Sequence, residues 1–187
     1  MVRRKPFLVG HQEFAALYRV EAQMVSQWMS RGRAVLDPAT AIVVSGVRYW
    51  PLGFAARFGQ MTPRPKPLDV RVKERLIEEQ RPGWEPDSRD QLPPIVGQQE
   101  VVALFRLPSQ SNLATTVGTG RFPAPDWVLS GSPLWLLDTV LDAVSALRET
   151  ARALAWEVDE DVLAVLREGR YEGPGAVVLT RGRWARK

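Results

Sequence analysis

Leu8-Val-Gly-His-Gln-Glu-Phe-Ala-Ala-Leu-Tyr-Arg-Val20 returns 87 residues later as Ile95-Val-Gly-Gln-Gln-Glu-Val-Val-Ala-Leu-Phe-Arg-Leu107. Seven of the 13 positions are identical, and five of the other six exchange one apolar residue for another. An internal repeat sets the architecture before any local reading does. Two copies are too few for a solenoid, so the repeat predicts a duplicated domain, a two-headed molecule in one chain.

The elements follow outward from this stretch. Phe14, Leu17 and Tyr18 stand at i, i+3 and i+4, one face of a short helix. Val25, Trp28 and Met29 repeat that spacing after a break at Arg19–Glu21, and Gly32 offers an easy left-handed end. Two short helices and a tight turn predict a helix-turn-helix. The second copy inserts Pro108, with Ser109 as a candidate cap, so that Val25 matches Leu113 and Gly32 matches Gly120. Further on, Val44-Ser-Gly-Val-Arg-Tyr-Trp50 matches Leu129-Ser-Gly-Ser-Pro-Leu-Trp135. In the first copy, β-branched Ile42-Val-Val44, the turn Ser45-Gly46 and the return to Trp50 predict a hairpin. A third helix follows in each copy. It is strongly patterned over Leu136–Leu147, whereas Gly53 and Gly59 predict a short one after the first hairpin.

Helix, turn, helix, hairpin ending in Trp, helix: this order resembles the small winged helix-turn-helix domains of the excisionase and MerR-like group. Arg121-Phe-Pro-Ala-Pro125 followed by Leu129-Ser-Gly-Ser-Pro-Leu-Trp135 is similar to a pattern of actinobacterial members; the first copy has Arg33-Ala-Val-Leu-Asp-Pro38 in that place. The resemblance covers residues 8–58 and 95–145. It implies a mainly α fold with small β-hairpin wings, two such domains in tandem and a helical C-terminal extension. It also implies that the second helix of each copy reads the major groove of double-stranded DNA while the wing touches backbone or minor groove.

On that reading the contact positions in the first copy are Gln23, Met24, Ser26 and Gln27, with Ala22 beside them. In the second copy they are Gln110, Ser111, Asn112 and Thr115, with Ala114. Gln and Asn can each make two hydrogen bonds to adenine. Arg31, Arg33 and Arg121 leave the two helices where phosphate contacts are expected, and Arg48 sits on the first wing, where Pro133 stands in the second. The heads are therefore expected to be unequal, the first the stronger DNA binder. The absence of Arg and Lys from the reading positions favours the competing view of an adaptor, in which one or both heads have lost DNA contact and the C-terminal helices recruit a partner. Architectural binding at a mobile element, plasmid or phage is a further use of the same contacts.

Composition narrows the other classes. The net charge of +4 leans only modestly towards polyanions. With no cysteine there is no disulfide, thiolate metal site or cysteine nucleophile, which fits a reducing compartment. The N-terminus leads into no long apolar run, so no signal peptide is expected, and no stretch approaches the roughly 18 apolar residues of a membrane span. The expected setting is the cytoplasm, at the nucleoid. His11 is the one histidine, is matched by Gln98, and reads as a surface residue. The acids Glu157, Asp159, Glu160 and Asp161 read as a helix start capped by Asp159 rather than as a metal site. No catalytic set, metal or cofactor is expected.

The predicted organisation is a first domain over 1–62, a Pro-rich linker with a short helix over 63–92, a second domain with helical extension over 93–169, and a basic tail over 170–187. Helix 136–168 is apolar enough either to pack back on the second head or to hold a partner, a second copy of the chain included.

Overall fold

The computed structural model describes residues 3–30 and 35–178. Strands β1 (Lys5–Pro6) and β2 (Leu8–Val9) open the chain, followed by α1 (His11–Leu17) and α2 (Ala22–Ser30). The hairpin β3 (Ile42–Val44) and β4 (Val47–Pro51) runs into α3 (Leu52–Met61), then α4 (Val70–Gln80) and β5 (Gly83–Trp84). The second copy repeats the order with β6 (Ile95–Val96), α5 (Gln98–Leu104), α6 (Gln110–Gly118), β7 (Trp127–Leu129), β8 (Ser132–Leu136) and α7 (Leu137–Asp142). Helices α8 (Val144–Thr150) and α9 (Glu160–Arg167) close it. The described chain is thus helix-rich with small antiparallel sheets, ordered β2-β4-β3 in the first copy and β6-β8-β7 in the second.

The two copies are not separate heads. Strand alternation sends successive side chains to opposite faces, and here both faces are used. Trp50, Val9, Trp135 and Val96 point inward to the helices of their own copy and belong to two separate cores. Their neighbours Tyr49, Leu8, Leu134, Leu136 and Ile95 point the other way and meet in a third core between the two sheets. The expectation of two independent domains overlooked this layer, because each strand was read for one buried face only.

The hairpin turns complete the join. Ser45 and Gly46 have φ of 48° and 77°, and Ser130 and Gly131 have φ of 48° and 79°, the two positive values of a type I′ turn. Glu100 caps its own helix by accepting from Gly97 N–H at 3.0 Å, and it also accepts from Ser45 N–H at 2.7 Å and Ser45 Oγ at 2.6 Å. Glu13 does the same in the other direction. It accepts from Gly10 N–H at 3.0 Å, Ser130 N–H at 2.8 Å and Ser130 Oγ at 2.7 Å. Each serine oxygen in turn accepts from the opposite helix, Ser45 from Gln99 N–H at 3.0 Å and Ser130 from Gln12 N–H at 3.1 Å. A Cβ on Gly10 or Gly97 would fall 2.4 Å from the docked serine oxygen, so glycine is required at both caps. Contacts from i to j and back from the equivalent i to j are those of a twofold dimer, here within one chain.

The repeat also runs further than sequence matching showed. Arg19 and Arg106 both take a left-handed conformation after their helices, with φ of 53° and 48°. Arg19 binds Asp69 and Arg106 binds Asp159, each at 2.7 Å. Asp69 caps α4 and Asp159 caps α9, each accepting from the amides two and three residues on. Their own amides donate to Leu17 and Leu104 carbonyls at 2.8 Å. Helix α4 is therefore the counterpart of α9. It packs on the first core through Leu76, Val72 and Ile77 and is no part of a spacer. The side-chain amide of Gln80 pairs with both the N–H and the C=O of Leu8 at 2.8 Å, closing the open side of β2.

Three local expectations change. Helix α3 spans 10 residues despite its glycines. These are needed for close approach, since a Cβ on Gly59 would lie 2.4 Å from the Tyr18 ring and one on Gly53 2.6 Å from the Pro86 carbonyl. Ser109 precedes α6, but its hydroxyl turns to Ser111 and Asn112 instead of capping the helix. The stripe after Leu136 is two short helices and a loop, and Leu147, Ala151, Trp156, Leu163 and Leu166 all enter the second core, so this region packs back on its own copy.

Glu100 is 2% exposed, and its removal would strand three donors at the join. Glu100→Ala is expected to cost about 2–4 kcal/mol in urea unfolding, and Glu13→Ala, at the more exposed latch, less. The Tyr49 hydroxyl in the shared layer lies beside Ser132 without completing a hydrogen bond. Tyr49→Phe should accordingly stabilise the fold, by about 1 kcal/mol, in the same measurement.

Candidate nucleic-acid interface

Helices α2 and α6 each lie against the first helix of their copy and bury one face, Val25 and Trp28 in α2 and Leu113 and Thr116 in α6. That fixes which residues face outward. Gln23 and Ser26 are exposed on α2 and Gln27 is half-buried. Met24 is half-buried and packs on the first core, so its side chain serves the hydrophobic interior at least as much as the surface. Arg31 and Arg33, and the tail 179–187, lie outside the described residues.

On α6 Gln110, Ser111 and Thr115 are exposed. Asn112 is half-buried, and its Oδ1 accepts from Ser109 Oγ at 2.8 Å. Thr115 Oγ1 donates to the Ser111 carbonyl at 2.9 Å, leaving its lone pairs outward as acceptors. Arg121 follows in an exposed loop. With Ser111, Asn112 and Thr115 it borders a shallow cavity of about 220 Å³, whose far wall is the loop around Ala153 and Leu154. The outward face of α6 is therefore bounded by the loop after α8.

The hairpins are placed differently from free wings. Both turns are held in the join between the copies by Glu13 and Glu100. Arg48, paired with Val43 on the strands, shares the face of Trp50 and is half-buried near His11. His11 is no plain surface residue. It stacks edge-on against Trp50 at 5.1 Å, and burial, followed by the positive charge of Arg48, lowers its pKa against the opposing pull of Glu13. The carboxyls of Asp69 and Asp159 are held below their ordinary range by the Arg19 and Arg106 guanidinium groups.

Charge divides the molecule. Residues 1–94 carry 15 Lys and Arg against 10 Asp and Glu, a net +5, while residues 95–187 carry 10 against 11, a net −1. The half that holds α2 is basic and the half that holds α6 is close to neutral. Among the described residues no group of three His, Asp or Glu side chains is placed to hold a metal ion, and no helix is long and apolar enough to cross a membrane.

No protein-family model matches the chain, and no curated protein or solved structure matches it significantly.

The residues that organise this region beyond the expected set are Glu13, Glu100, Ser45 and Ser130. Their signal was in the sequence, as a Glu and a Ser-Gly pair retained in both copies. His11 gives a pH test. Because its folded pKa lies below its ordinary 6.5, the unfolded chain takes up the proton first. Its contribution to stability is whole above pH 6.5 and is lost as the pH falls through 6.5 towards the folded value. His11→Gln, the residue of the second copy, should flatten the fall in Tm between about pH 7 and pH 5.

Proposed function

We propose that the protein binds double-stranded DNA through α2, with α6 as a second and weaker contact, as a tandem winged helix-turn-helix protein used in transcription regulation. The observation that carries the reading is the outward face of α2. Gln23 and Ser26 stand exposed on a helix braced by α1, in the half of the chain with net charge +5. A braced helix with exposed amides and hydroxyls is suited to base edges in a major groove, and the positive half supplies the attraction to phosphate. Because the turns of both hairpins are held between the copies, recognition rests on the helices, and the hairpins act as the frame that fixes one helix relative to the other.

The nearly neutral second half favours an additional reading, in which it recruits a protein while the first half holds DNA. Its net charge of −1 gives α6 none of the attraction to a phosphate backbone that +5 gives the first half. A binding site made of one strong and one weak half follows, in place of a palindrome.

Selection from random duplex DNA by the purified chain, with affinity followed against salt, tests the proposal. One enriched half-site with a clear salt slope is expected, and Gln23→Ala should relax a single base position, by about 1–3 kcal/mol of discrimination. Asn112→Ala should change the selected sequence little. Failure to enrich any sequence, with affinity independent of salt, rules out DNA as the ligand.

A further inference from the structure

We propose that the turn of the second hairpin, Ser130-Gly131, together with the edge of β7, is a docking site for a Pro-Gly type II β-turn presented by a partner protein. The molecule contains its own template for this contact. In the first copy Gly46 N–H donates to the Gly175 carbonyl at 2.8 Å. Gly175 lies in a turn closed by Ala176 N–H to the Gly173 carbonyl at 3.0 Å. Pro174 at the second position and Gly175 at the third, with φ of +92°, make it type II. Tyr171 braces it by donating to the Pro174 carbonyl at 2.9 Å, and burial with the nearby Glu100 charge pushes the Tyr171 pKa up to about 12. The fit is close. A Cβ on Gly175 would lie 2.5 Å from Glu100 Oε1 and 3.0 Å from the Ser45 Cα.

The same surface recurs, uncovered, on the second hairpin. Gly131 matches Gly46 in conformation, and Glu13 meets Ser130 N–H at 2.8 Å as Glu100 meets Ser45 N–H at 2.7 Å. Yet Gly46 is buried, whereas Gly131 is exposed, with nothing within 4 Å of where its Cβ would stand and no partner for its N–H among the described residues. The edge strands differ likewise. Val43 on β3 lines a cavity of about 570 Å³ roofed by Leu166, Gly169 and Tyr171. Its counterpart Val128 on β7 is 63% exposed. Val128 pairs with Pro133 one step beyond the pair that flanks the turn, so its own N–H and C=O point outward from the sheet.

Chain path explains the vacancy. After α9 the chain crosses to the first hairpin, but after α4 it turns into β5 and pairs with β1, leaving the second hairpin without a covering turn. The Pro174-Gly175 turn of this chain is seated on Gly46, and the occupant assigned to the second hairpin is a turn of the same chemistry on a partner protein.

The test titrates the full 15N-labelled chain with the synthetic peptide Tyr-Glu-Gly-Pro-Gly-Ala, the sequence of residues 171–176, and with the same peptide carrying Gly175→Leu. Saturable amide shifts at Val128, Ser130 and Gly131 are expected, with the Leu peptide at least about tenfold weaker. The proposal is overturned by the absence of saturable shifts at these amides, by shifts confined to Ser45 and Gly46, or by equal binding of the two peptides.

Discussion

A carboxylate that caps a helix keeps lone pairs to spare, and in this chain the spare lone pairs of Glu13 and Glu100 hold the hairpin turn of the opposite copy. The rest of the architecture depends on that exchange. A serine at a left-handed turn position is strained relative to glycine, but its hydroxyl brings both a donor and an acceptor to the opposite helix, which glycine cannot. The glycines at the two caps let that hydroxyl come close, and the apolar layer between the sheets fills the space the latches define. Charged hydrogen bonds of this kind are directional, so they set register where the apolar layer alone would allow sliding.

The join constrains function. Two winged heads on a flexible tether could adjust their spacing to a target. Two copies that share a core layer cannot, because moving one exposes Leu8, Ile95, Leu134 and Tyr49 together. The spacing and angle between α2 and α6 are then fixed in the free protein, which lowers the ordering cost of binding and narrows the set of sites that fit. It also ties the serine of each hairpin turn to the opposite helix, so neither turn is free to move as a separate wing. Any contact with nucleic acid therefore relies on the helices and on the charge of the first half.

The elements themselves were legible. The i, i+3, i+4 spacing in α1, the Ser-Gly turns and the Asp159 cap all appear where the local chemistry put them. What lay beyond reach depended on distance along the chain. Asp69 and Asp159 are equivalent, yet the segments after the two hairpins differ so much in length and composition that no alignment joins them; only their bonds to Arg19 and Arg106 reveal the match. The middle layer was hidden for another reason. Tyr49 beside Trp50, and Leu134 beside Trp135, form short continuous apolar runs, which are the mark of burial on both faces, but runs this short do not say what covers the second face. Of the candidate contact residues, Gln23 and Ser26 fall on an open face as the periodicity required, whereas the burial of Met24 and the bond from Ser109 to Asn112 depend on packing that spacing alone does not encode.

A homodimer built from identical chains must give both halves the same surface. Joining the copies in one chain removes that constraint while the latches preserve the geometry. The residues that make the join are kept, Glu13 with Glu100 and Ser45 with Ser130, while those around it have diverged: Arg48 faces Pro133 across the repeat, Tyr49 matches Leu134, and the net charges of the two halves are opposite in sign. The chain after α4 closes on β1, and the chain after α9 closes on the first hairpin. The divergence thus spares the polar latches but reaches the apolar layer, where Tyr49 and Leu134 meet. One chain can in this way present two different surfaces on one frame: the β7 edge and Gly131 stand open on the second copy, where the first copy is covered by the turn at Gly175.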